Sequence, residues 1–107
     1  MKHKRLSFNI LPKATKLSKL KAGSKSFTVT WKKQATQTTG YEIQYGLKKN
    51  FKGAKTLQVK KNKTTKATIK KLKGGKTYYV RIRTYNKIGK KYYRSAWSSA
   101  KKIKVKR

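Results

Sequence analysis

From Tyr78 to Tyr85 the chain alternates without a break, with Tyr78, Val80, Ile82 and Thr84 on one parity and Tyr79, Arg81, Arg83 and Tyr85 on the other. A period of two is that of a β-strand, whose successive side chains point to opposite faces. The same beat recurs along the sequence. Phe27, Val29 and Trp31 alternate with Ser26, Thr28, Thr30 and Lys32, and Tyr41, Ile43 and Tyr45 with Glu42 and Gln44. Leu57 and Val59 flank Gln58, Ala67 and Ile69 sit among Lys66, Thr68 and Lys70, and Ile103 and Val105 sit among Lys102, Lys104 and Lys106. A less regular first segment carries Leu17 and Leu20. Together these make seven strand candidates, rich in the β-branched and aromatic residues that suit a pleated surface. Turn signals separate them at Ala22-Gly23-Ser24, Gln37 to Gly40, Lys52-Gly53, Lys61-Asn62-Lys63, Gly74-Gly75 and Ile88-Gly89. No window carries a sustained helical stripe. The expectation is an all-β sandwich or barrel of seven strands.

Charge enters because it tests that pattern. The 107 residues hold 33 Lys and Arg against one acid, Glu42, for a formal net charge of +32. Such a balance suits a disordered basic tail and opposes folding by self-repulsion. The alternation argues for folding, because inward positions are apolar almost throughout and the lysines fall outward or in turns. A slip of one residue would put lysines in the core. Seven Tyr, three Phe and two Trp supply much of the apolar area. The length fits one domain. Residues 1–12 read as a leader ending at Pro12, the only proline, and 13–107 as the domain. Met1-Lys2-His3-Lys4-Arg5 resembles the basic start of a signal peptide without the apolar stretch that should follow. No apolar run reaches the ~18 residues of a membrane span. With no cysteine, disulfides and thiolate metal sites are excluded.

Four segments carry a resemblance. Ser26-Phe27-Thr28-Val29-Thr30-Trp31 is similar to the second strand of fibronectin type III domains, whose Trp sits at the core centre, and Gly40-Tyr41-Glu42-Ile43-Gln44-Tyr45 resembles their third. Leu72 to Asn86 resembles the corner and sixth strand, with Tyr78 as the corner tyrosine whose hydroxyl bonds back to the backbone near Leu72. The ending Ser95-Ala96-Trp97-Ser98-Ser99, followed by Ile103 and Val105, resembles the last strand. The match runs from Pro12 to Lys106 and departs at Gly74, where the family often has Pro. The resemblance implies an all-β, two-sheet, seven-stranded immunoglobulin-like sandwich with a core of Trp31, Tyr41, Ile43, Leu72, Tyr78, Val80 and Ile82. It also implies a monomeric module beside neighbouring domains of a longer secreted or cell-surface chain, of the lysine-rich kind found in Gram-positive bacteria. Arg-Gly-Asp is absent between Asn86 and Tyr92, so integrin binding by that route is not implied.

Catalysis has little to work with. A carboxylate pair is impossible with Glu42 alone, His3 is the sole histidine and lies in the leader, and the lysines all read as exposed. No cofactor and no metal are expected. Glu42 reads as one partner of a surface ion pair with Arg81 or Arg83 on the adjacent strand. The outward face of that strand is the candidate ligand face: Gln44, Tyr79, Arg81, Arg83, Tyr85, Arg94 and Trp97. Aromatics interleaved with guanidinium groups suit stacking on sugars or bases while pairing with anions. The competing reading of the same residues is structural. A Trp-Ser beside sixth-strand arginines resembles the cation–aromatic ladder of cytokine-receptor modules, with half of their double Trp-Ser motif present. Lysine runs at Lys48-Lys49, Lys60-Lys61, Lys70-Lys71, Lys90-Lys91 and Lys101-Lys102 favour point-charge attraction over sequence-reading contacts. The leading expectation is a non-catalytic adhesion or spacer module drawn to polyanions such as wall teichoic acid or acidic glycans. The alternatives are a non-specific nucleic-acid-binding protein and an engineered supercharged scaffold.

Overall fold

The computed structural model describes residues 12–34 and 36–107, so the expected leader up to residue 11, His3 included, lies outside the described residues. Eight strands follow in chain order: β1 (Leu17–Gly23), β2 (Ser26–Trp31), β3 (Gly40–Gly46), β4 (Lys55–Val59), β5 (Lys66–Ile69), β6 (Thr77–Ile88), β7 (Lys91–Arg94) and β8 (Lys101–Lys104). They form a three-stranded sheet in the order β1-β2-β5 and a five-stranded sheet in the order β4-β3-β6-β7, with β8 also on β6. The all-β, two-sheet expectation holds. The count differs from seven because the last strand comes in two pieces. β7 pairs with the far half of β6, from Tyr85↔Arg94 to Ile88↔Lys91, and β8 with its near half, from Thr77↔Lys104 to Val80↔Lys101.

The two sheets meet through the parity seen in the sequence. Phe27, Val29 and Trp31 of β2 pack against Tyr41 and Ile43 of β3 and Tyr78, Val80 and Ile82 of β6, joined by Leu17, Ile69 and Val105. Every residue expected in the core is there, with Leu72 half-buried at its edge. The irregular spacing of Leu17 and Leu20 has a local cause. Leu17 faces Trp31 and Leu20 faces Val29, with a register shift between Leu17 and Lys19. One extra residue in the strand is a bulge, and it lets both leucines face inward although they are three positions apart. Every lysine among the described residues is exposed, so the net charge is carried outside the packed layer.

The corner before β6 forms as the resemblance implied. Tyr78 is buried, and its hydroxyl oxygen accepts the backbone N–H of Lys73 at 2.9 Å. Across the core, the Tyr41 hydroxyl donates to the Asn62 carbonyl at 2.7 Å and accepts the Gln34 N–H at 2.9 Å, tying two loops at the opposite end. Tyr78→Phe leaves the ring in place and strands the Lys73 N–H. We expect a loss of about 1 kcal/mol, read in urea as a lower midpoint at unchanged slope.

Candidate functional site: an arginine–aromatic ladder

β6 presents Arg81 and Arg83 on the outer face of the larger sheet, opposite Gln44 and Glu42 of β3. The stretch between β7 and β8 folds over this face, and two serines hold it there. The N–H groups of Ser95 and Ser98 donate to the carbonyls of Thr84 and Ile82 at 3.1 and 2.8 Å. Their hydroxyls accept the N–H groups of the same two residues, each at 3.0 Å. Hydroxyl oxygens thus stand in for the strand carbonyls that the break between β7 and β8 removes. The sequence pointed to one Trp-Ser pair. The spacing Ser95-x-x-Ser98 is the further signal, since two serines three apart meet alternate residues of β6.

This anchoring lays Trp97 across the arginines. The guanidinium carbon of Arg83 is 4.0 Å from the Trp97 ring centre and that of Arg81 is 4.5 Å away. Arg81 also lies 4.1 Å from the centre of the Phe51 ring. At the other end Arg94 sits 5.0 Å from the Tyr92 ring, which Lys87 approaches at 5.6 Å. Such contacts contribute about 0.5–1 kcal/mol when exposed and more when water is excluded. Phe51 was not foreseen. It is the one aromatic in the lysine-rich turn from Lys48 to Lys52, and it is buried with φ at 62°, a left-handed conformation that a bulky residue rarely adopts.

Glu42 organises the charges. Its carboxylate accepts Arg83 Nε at 2.8 Å and Arg94 Nε at 3.0 Å on one oxygen, and Gln58 Nε2 at 3.2 Å on the other. The expected exposed pair is therefore wrong in one respect: Glu42 is only 5% exposed, because the ladder covers it. Burial pushes its carboxyl pKa up, but hydrogen bonds and charge from Arg94 and Arg83 outweigh this and leave it below the usual glutamate value. Arg81 turns instead to Gln44, donating from Nε to Oε1 at 2.7 Å. Burial, then the charge of Arg83, lower its pKa.

Of the seven residues expected on the ligand face, Gln44, Arg81, Arg83, Arg94 and Trp97 come together in the ladder or bond directly to it. Tyr79 does not join them. It lies near the start of β6, opposite Gly46 and Lys102, and borders a shallow recess with Lys49 and Lys101. Tyr85 does not belong on an accessible face at all, since it is 2% exposed. Its ring fits over Gly40, where an added Cβ would lie 3.1 Å from a ring carbon, and Tyr92 covers it at 5.5 Å. Burial, with the charges of Tyr92 and Glu42, raises its pKa. No group of three or more potential metal-ligating side chains occurs among the described residues.

A family model for the fibronectin type III domain matches residues 12–101. The chain belongs to that family. The backbone agrees with the fibronectin type III domain of human contactin 1 at a TM-score of 0.73 and 17% identity, covering 92% of this chain and 84% of that one. A domain of the human collagen alpha-1(XX) chain gives 0.70 and 15%, covering 90% and 87%. By sequence, a Kelch domain-containing protein of Sulfurisphaera tokodaii is 34% identical over 84 residues, which is 78% of this chain and 11% of that protein. Its counterpart in Saccharolobus solfataricus is 32% identical over the same length. This fibronectin type III chain therefore spans about 11% of the curated relatives it matches. Both relatives are archaeal, so they lend nothing to the Gram-positive placement that the resemblance implied.

The folded-state pKa of Glu42 is depressed, so its contribution to stability is complete above the unfolded-state pKa and disappears as pH falls through the folded-state value. Glu42 is the sole side-chain carboxylate, which makes that acid transition easy to assign. We expect Glu42→Gln to lower stability at pH 7 by roughly 1.5–3 kcal/mol and to flatten the loss of stability below the normal glutamate range. Thermal or urea unfolding from pH 7 to pH 3 reads both effects.

Proposed function

We propose that this fibronectin type III domain is a non-catalytic binding and spacer module that holds acidic polymers by charge. The observation that carries the reading is the outward placement of every described lysine around a neutral core. Solvent-exposed ammonium groups attract polyanions through charge and counterion release. The ladder supports this indirectly. Arg81, Arg83 and Arg94 spend their Nε donors on Gln44 and Glu42 and their flat faces on Trp97, Phe51 and Tyr92. We read it as a structural seam that leaves binding to the lysines. Fibronectin type III domains are common in extracellular and cell-surface proteins, and we place this module there within a longer chain. Acidic glycans and wall teichoic acids are polymers of the required kind.

Retention on immobilised teichoic acid and heparin tests the proposal, with duplex DNA in parallel. We expect firm retention at about 50 mM salt and release well before about 1 M, where screening falls to about 3 Å. The logarithm of affinity should decline linearly with that of salt. Absence of retention at low salt, or retention unchanged at high salt, rules the proposal out. Clear preference for DNA over both glycopolymers replaces it with the nucleic-acid reading.

A further inference from the structure

A cleft of about 530 Å³ lies at one end of the sandwich, between the turn joining β3 to β4 and the connection from β5 to β6. Tyr45, Leu47 and Leu72 give it an apolar lining. Leu47 is 42% exposed, one of few large apolar side chains left open to solvent among the described residues. Lys48, Lys52 and Lys55 rise from one wall and Lys70, Lys71 and Lys73 from the other. No carboxylate or amide side chain lines it. Ammonium groups only donate hydrogen bonds, so a fitting ligand must be dense in acceptors while presenting an apolar body to the lining.

Both walls are held in place. Tyr78, itself part of the lining, fixes the second wall by accepting the Lys73 N–H, and the Leu72 N–H donates to the Lys25 carbonyl at 2.9 Å. The first wall is fixed by Phe51, which is seated under Arg81 and closes its turn through hydrogen bonds with Lys48 and Ala54. Within the lining, Lys71 adopts a left-handed backbone with φ at 61°. Glycine is the residue that takes this conformation without cost, so a lysine here is a strained backbone carrying a charge into a concave site. Strain of this kind concentrates at ligand clamps, and fixed walls reduce the ordering cost of binding.

We propose that this cleft is a specific subsite for a compact ring bearing several sulfate or phosphate esters, such as a unit of a sulfated or phosphorylated glycan. The six ammonium groups meet the ester oxygens, and the ring seats on Tyr45 and Leu47. The subsite rests on the polyanion reading above and adds a place and a ligand shape to it.

Calorimetry with sucrose octasulfate and with myo-inositol hexakisphosphate tests it and separates the sulfate source from the phosphate source. Linear polyphosphate serves as an anion without a ring. We expect one of the two ring ligands to bind one per chain. Lys71→Gly should weaken that binding about tenfold, the worth of one charge-assisted hydrogen bond, while leaving the urea midpoint unchanged or raised. Leu47→Ser should weaken it about fivefold, as for a half-buried leucine, with little effect on polyphosphate. Lys33→Gln, an equal charge loss on the exposed loop at the opposite end of β3, should change it by less than about twofold. Equal losses in Lys71→Gly and Lys33→Gln would overturn the subsite and leave diffuse attraction standing. So would failure of both ring ligands to bind a wild-type domain that teichoic acid still retains. Loss of every interaction would remove the broader proposal as well.

Discussion

One carboxylate closes the outer face of the larger sheet. Glu42 is the only acidic side chain in the sequence, and it sits where Arg83 and Arg94 converge. Without a counter-charge, these arginines would repel one another as they pack beside a third, Arg81. With it, two guanidinium groups settle at hydrogen-bonding distance, and the Trp97 and Tyr92 rings lie against Arg83 and Arg94. Removing a guanidinium partner costs more than the pair contributes, because the buried Glu42 carboxylate is left less well compensated. The segment from Arg94 to Ser98 depends on this arrangement from above and on the backbone of β6 from below.

The rest of the domain handles its charge by separation. Inward positions of the strands are almost all apolar, and every described lysine is exposed to solvent. Lysine suits this task, since its aliphatic stem lies along the protein while the ammonium group remains hydrated. Arg81, Arg83 and Arg94 form the ladder, where a planar group stacks and forms directed hydrogen bonds at once. On this face three arginines build structure, while the many exposed lysines set most of the electrostatic surface.

Much of the fold was legible because β-structure with one buried face writes itself as parity. Phe27, Val29 and Trp31, or Tyr78, Val80 and Ile82, name their own core positions. The family resemblance then located the tyrosine corner. Parity failed where a residue is covered from outside the sheet. Glu42 and Tyr85 occupy outward positions, yet both are buried, since Trp97, Arg94 and Tyr92 arrive from elsewhere in the chain to cover them. Phe51 was hidden for a related reason, because its partner Arg81 lies on a strand distant in sequence. The lysine-lined cleft was equally invisible. It draws its walls from two loops that only the folded topology brings together.

The break in the last strand bears on how the domain behaves among copies of itself. A sheet edge is a row of unpaired backbone groups, and a long flat edge is a template on which another chain can assemble. On this side of β6 the edge is offered in two four-residue lengths, β7 and β8, with Ser95 and Ser98 turning the backbone between them toward β6. Lys91, Lys101, Lys102 and Lys104 stand along those short lengths. An approaching strand would find neither a continuous ladder nor a neutral one, so the same serines that seat Trp97 also guard this edge against fibrous self-association.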